Sequence, residues 1–261
     1  MSDYDRNVAG RFNPSVARSQ AAIDQGLRAY MLSVYNYMAL GLAITGAAAL
    51  GIFMLSVTTD PSQAAAQVRG GIMLTQFGVA LFTSPLKWVV MLAPLAAVFF
   101  ISFRIERMSV SAAQIAFWAF AAVMGVSLSS IFLVYTHESI VRVFFITAAS
   151  FGALSLYGYT TKKDLSGMGS FLMMGLFGII IASLVNIFLG STMLQFIVSV
   201  AGVLIFAGLT AYDTQRIKEM YFVGDDGTVA GKKAIMGALS LYLNFINMFM
   251  MLLQLFGNRN N

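Results

Sequence analysis

Apolar runs long enough to cross a bilayer recur seven times along this chain, at about 30–57, 86–103, 111–135, 139–160, 168–190, 193–220 and 234–256. A spanning helix needs about 20 mostly apolar residues. Lipid offers backbone N–H and C=O groups no partner, so such a run must be a helix or a strand of a closed barrel. Barrel strands alternate polar and apolar side chains over ~10 residues, and these runs do not. The expected fold is all-α, a polytopic membrane protein built as a seven-transmembrane-helix bundle. Composition points the same way. Apolar residues make up 59% of the chain and charged residues 10%, against roughly 25% charged in soluble domains. That excludes a disordered chain and an ordinary soluble enzyme.

The net charge of +5 is read as a topology signal rather than as a nucleic-acid footprint, because the basic residues lie between the apolar runs. With seven spans and a cytoplasmic N-terminus, the inside segments hold Arg6, Arg11, Arg18, Arg28, Arg104, Arg107, Lys162, Lys163, Arg216, Lys218, Lys232 and Lys233. The outside segments hold Arg69, Lys87, Arg142 and Arg259. This asymmetry favours an inside N-terminus and an outside C-terminus. A re-entrant last run would instead bring the C-terminus back inside.

Residues 1–28 are polar and mixed in charge, and are expected to form a flexible cytoplasmic arm. Residues 29–257 form the membrane domain and 258–261 a short tail. The apolar stretch 71–83 is too short to span and suits an interfacial or re-entrant piece. Lys87 and Trp88 fit an interface anchor, and Tyr30, Tyr35 and Tyr37 would sit at the inner headgroups. Ala43, Ala47 and Gly51 recur at four-residue spacing. Packing inside the bundle is the simpler reading of them, a dimer face the other.

Candidate chemistry is sparse. No cysteine and one histidine, His137, leave no thiolate or histidine metal site, and no cofactor is expected. Glu106 lies between Arg104 and Arg107, where a local ion pair is the simplest expectation. Asp213 follows an apolar run and precedes Arg216 by three residues. It sits either inside the inner leaflet, where an ionisable group costs ~2.5–3.5 kcal/mol on insertion scales, or in an interfacial i,i+3 pair with Arg216. In the last span Tyr242, Asn244, Asn247 and Gln254 interrupt the apolar pattern. Polar side chains there call for partners on neighbouring helices, so this helix should face the bundle interior.

Several segments resemble one family. Leu209-Thr-Ala-Tyr-Asp213-Thr-Gln, then Gly237-Ala-Leu-Ser-Leu-Tyr-Leu-Asn244-Phe-Ile-Asn247, are similar to the signature of the Bax inhibitor-1 (transmembrane Bax inhibitor motif) family. Leu128-Ser-Ser-Ile-Phe-Leu-Val-Tyr-Thr136, the stretch from Ser155 to Gly167 and the Phe256-Gly-Asn-Arg ending resemble its bacterial members. The resemblance runs from about Tyr30 to Arg259. It implies six helices around a central seventh, a calcium or cation leak, and a pH-sensitive latch near the cytoplasmic side. The latch is a pair of aspartates on the last two helices, set by an arginine near the end of the second helix. Asp213 matches the first aspartate, and Arg104 or Arg107 the arginine. The second aspartate is Asn244 here. An Asp–Asn pair lacks the repulsion of two carboxylates, which puts the pH switch in question. Asp213 would also be the one carboxylate for a transient calcium contact, with Asn244 and Asn247 offering carbonyl oxygens.

Two functions follow as expectations, neither enzymatic. One is a calcium or cation leak in the bacterial inner membrane. The other is a non-conducting regulator that binds other membrane proteins or a membrane protease.

Overall fold

The computed structural model describes residues 14–260, with side chains from Ile23 onward except that of Arg69. The helices are α1 (Pro14–Ser56), α2 (Gln76–Phe82), α3 (Leu86–Arg104), α4 (Val110–Leu128), α5 (Ile131–Val134), α6 (His137–Thr160), α7 (Ser166–Leu189), α8 (Thr192–Glu219) and α9 (Gly227–Phe256). Among the described residues, seven helical segments are long and apolar enough to cross a membrane. They begin within α1 and then with α3, α4, α6, α7, α8 and α9, each close to the span read from the sequence. The chain is thus an all-α polytopic membrane protein.

Local sequence sets the boundaries. Ser109, Thr136, Ser191 and Asp226 each cap a helix start by accepting the backbone N–H three residues on, satisfying donors that the first turn leaves free. Gly190 takes the left-handed conformation that ends α7. Asp226 starts α9 two turns earlier than the apolar run predicts, because Gly227–Lys233 continues the helix before entering apolar surroundings.

The last helix is the axis. In its spanning window 67% of the residues are buried, against at most 33% in any other span. It packs on α8, α1, α6 and α4. Lipid supplies little hydrophobic force between helices, so close approach and interhelical hydrogen bonds must hold them. Tyr242 shows both. Its hydroxyl shares a hydrogen bond with Thr45 on α1 at 2.6 Å, and Thr45 also donates to the Ala121 carbonyl of α4. Phe117 and Phe120 meet the Tyr242 ring edge-on. Glycines make the crossings. A Cβ at Gly125 would collide with the Thr45 carbonyl, and one at Gly158 with the Ala211 carbonyl. The stripe Ala43, Ala47 and Gly51 does the opposite of the simpler expectation. It faces outward, and a Cβ at Gly51 would meet nothing within 4 Å.

At 1.5 Å per residue the 30-residue α9 is ~45 Å long, more than the ~30 Å hydrocarbon core. Its two ends lie at opposite ends of the bundle. Lys232 Nζ donates to the Glu106 carbonyl at one end. At the other, Asn258 accepts from Thr136 and donates to Ser139, and the Asn260 amide donates to the carbonyls of Phe132, Leu133 and Tyr135. The last helix therefore runs from one end of the bundle to the other. Of the short tail, Asn258 and Asn260 are pinned by these bonds, and Asn261 lies outside the described residues.

Three further expectations change. The arm read at 1–28 lies outside the described residues as far as residue 13, but from Pro14 the chain is already helix and continuous with the first span. Tyr30 and Tyr35 turn inward: Tyr30 packs on Tyr221, and the Tyr35 hydroxyl shares a hydrogen bond with Ser155, which in turn bonds Thr214. The stretch 71–83 forms a strand and the two-turn α2. Antiparallel strands β1 (Val57–Thr58), β2 (Ala66–Gln67) and β3 (Met73–Leu74) pair in the order β1-β3-β2. The turn into β3 needs positive φ at Gly70 and Gly71. Lys87 lies over the Trp88 ring, as an interface anchor would.

Candidate functional site

Asp213 lies six residues before the end of α8, ~9 Å below it. It is buried, at 8% exposure. Its two oxygens have separate partners. Asn244 Nδ2 on α9 donates to Oδ2 at 2.8 Å. Arg216 Nη2 reaches Oδ1 at 3.0 Å and also donates to Ser240 Oγ on α9 at 3.3 Å. Asp213 is thus both buried below the helix end and paired with Arg216 at i,i+3. Helical geometry explains this. An i,i+3 partner nearer the helix end can return to a buried carboxylate while its own side chain stays 47% exposed.

On α9 the polar stripe is Ser240, Asn244 and Asn247, spaced by three or four residues and so sharing one face. Asn247 is half-buried and donates to the Leu243 carbonyl within its own helix. All three line one cleft with Asp213 and Arg216. Its volume is about 700 Å³, and apart from Ser183 its other walls are apolar residues of α3, α7, α8 and α9.

The arginine of the site is not the one expected. Arg104, the last residue of α3, and Arg107, just beyond it, are exposed, and Asp213 pairs with Arg216 instead. The separation follows from packing. α3 packs on α4, and Arg107 lies in the 3-10 turn at Ile105–Arg107 that follows it. Among the described residues Glu106 forms no ion pair with its neighbours; its carbonyl accepts from Lys232. His137 and Glu138 are exposed at the start of α6, as read from the sequence, and His137 packs against Phe53 and Phe132. Sequence reasoning missed Ser240, whose signal was its position four residues before Asn244.

A calcium ion favours six to eight oxygen ligands. The cleft offers one carboxylate, already held by a guanidinium and an amide, together with neutral oxygens of Asn244, Asn247 and Ser240. Among the described residues no three acidic or histidine side chains gather into a metal cage. The donor set fits a weak, passing contact better than a resident ion.

A central polar helix, gripped by a buried carboxylate from its predecessor inside a seven-helix membrane bundle, defines the class of protein. Residues 27–261 match the family described as inhibitor of apoptosis-promoting Bax1, and the chain belongs to that Bax inhibitor-1 family. It is 45% identical to protein RP147 of Rickettsia prowazekii over the whole of both chains. It is 44% identical to the inner membrane protein YbhL of Escherichia coli K12, covering 90% of this chain and 93% of that one. A Caulobacter vibrioides protein matches at 45% over 98% of each chain.

Proposed function

We propose that this protein is a non-enzymatic cation leak pathway of a bacterial inner membrane, calcium being the leading candidate ion, with its N-terminus in the cytoplasm. The Asp213–Asn244–Arg216 cluster is its latch. The observation that carries the proposal is a carboxylate buried within the membrane span and tied to the central helix. Such a group is costly in lipid, and it sits where two long helices meet at the base of an open cleft. The state described is closed. Beyond the latch, Leu241, Phe245, Met248, Phe249 and Leu253 of α9 are buried against its neighbours and make that stretch of the axis largely apolar. The basic residues supporting the orientation, Arg28, Arg104, Arg107, Lys162, Lys163, Arg216, Lys218, Lys232 and Lys233, lie at the latch end. The inner-membrane placement also draws on the name of the Escherichia coli relative.

The test is calcium entry into liposomes holding purified protein. Entry above that of empty vesicles, increased by Asp213→Ala, supports the leak. Flux at the empty-vesicle level for both proteins across pH 5–8 overturns it. One observation favours the second reading, a non-conducting regulator of membrane proteins. The outward stripe of Ala43, Ala47 and Gly51 lets another helix approach closely. Crosslinking through that face without any flux would decide for it.

A further inference from the structure

The wall of the bundle is incomplete beside the latch. α3 packs on α4, and α7 packs on α8, and neither closes over the cleft between them. Leu95 of α3 and Ile180, Leu184 and Ile187 of α7 form its lips and are exposed. Leu243, Asn247 and Met251 of α9 form its floor. They are half-buried members of an otherwise enclosed helix, spaced by four residues. The central helix thus reaches the outside of the bundle along one line, through this gap.

We propose that the cleft is a binding site for one phospholipid, its acyl chain lying along Leu243 and Met251 and its phosphate resting on Arg216. Three observations select this occupant. The first is length. From Ser240 to Met251 the floor runs ~16 Å along α9, about what one acyl chain fills in its half of the ~30 Å hydrocarbon core. The second is the order of chemistry along it. Apart from Asn247 and Ser183, apolar side chains line the part beyond the latch, while Ser240 and Arg216 lie at the end nearest the C-terminus of α8. The third is unused donor capacity. Arg216 carries five N–H donors. Among the described residues its hydrogen bonds run through Nη2 alone, to Asp213 and Ser240. Its guanidinium stands one turn from the end of α8, at the level of a headgroup. Guanidinium forks suit phosphate oxygens. The proposal holds whether or not the protein passes ions.

The protein is reconstituted in vesicles of phosphatidylglycerol and phosphatidylethanolamine carrying a trace of phospholipid with a photoreactive acyl chain. After irradiation, labelled residues are mapped. A second probe, a diacylglycerol with the same photoreactive chain, lacks the phosphate. The expected result is labelling of Leu243, Asn247 or Met251 on α9, relative to Phe188 and Leu204 on the outer surface, about tenfold stronger for the phospholipid, the effect of one charge-assisted hydrogen bond. Leu184→Trp, which plugs the opening, removes the α9 label and keeps that at Phe188 and Leu204, so it also reports that the bundle is intact. Arg216→Gln removes the preference for the phosphate-bearing probe, and Arg216→Lys retains part of it. Labelling of Phe188 and Leu204 without any on α9 overturns the site. Equal α9 labelling by both probes overturns the phosphate contact.

Discussion

Removing the Asp213 side chain tests the latch most directly. In Asp213→Ala, α8 loses its hydrogen bond to Asn244. A hydrogen bond to a charged group contributes about 1.5–3 kcal/mol. The Arg216 pair adds little to the hold between α8 and α9, since it lies within α8 and its guanidinium is 47% exposed; such pairs contribute at most ~1 kcal/mol. Removing a buried charge also lifts a desolvation cost, but the Asn244 amide is then left without its acceptor. The interhelical loss is thus about 1.5–3 kcal/mol, or roughly one to two decades in the opening equilibrium. The chain has no cysteine, so Ala238→Cys, at a fully buried position of α9, gives a clean reporter. Its modification rate by a small maleimide in liposomes should rise by that factor in the Asp213→Ala background. Asn244→Ala should behave alike, and a double-mutant cycle of the two should return a coupling near the hydrogen-bond value. Unchanged reactivity and melting temperature in both single variants, with no coupling, would refute the latch.

Wild-type flux should vary little between pH 5 and 8, whereas Asn244→Asp, which sets a second carboxylate within hydrogen-bond distance of the first, should introduce a step in that range because such carboxylates titrate as a pair; a steep wild-type response unaltered in the variant would place the switch elsewhere. Gln67→Cys should label with an impermeant reagent on intact cells and Lys162→Cys only after permeabilisation, since both residues are exposed, at opposite ends of the bundle; the reverse pattern inverts the orientation. Gly158→Ala should destabilise the bundle by ~1–3 kcal/mol through the clash with the Ala211 carbonyl, while Gly152→Ala, with open space around it, should stay within ~0.5 kcal/mol, both read as melting temperature in detergent. The Ser166 hydroxyl and backbone N–H hold the Asp164 carboxyl below its ordinary 3.8; the stability it lends the α6–α7 loop is present above 3.8 and lost as pH falls through the lower folded value, so carboxyl NMR should give a midpoint under 3.8 that Ser166→Ala moves upward.

Apolar run length by itself determined the number of spanning helices, because lipid leaves a long apolar segment no other way to satisfy its backbone. Polar residues in the last run likewise placed that helix inside, since Asn244 and Tyr242 needed partners that lipid does not hold. The motif around Asp213 and Asn244 was legible for the same reason: unusual residues in apolar surroundings stand out one at a time. What only the tertiary structure decided concerns which helix faces which. Apolar side chains are equally at home against lipid and against protein, so the pattern carries no rotational signal for Ala43, Ala47 and Gly51, which turned outward, or for Gly125 and Gly158, which make the crossings. The choice of Arg216 over Arg104 and Arg107 depended on which helix packs beside α9: α8 does, whereas α3 packs on α4. The cleft between α3 and α7 belongs to neither helix alone. It exists because each packs on a different neighbour, a property of the assembled bundle that the order of residues along the chain does not contain.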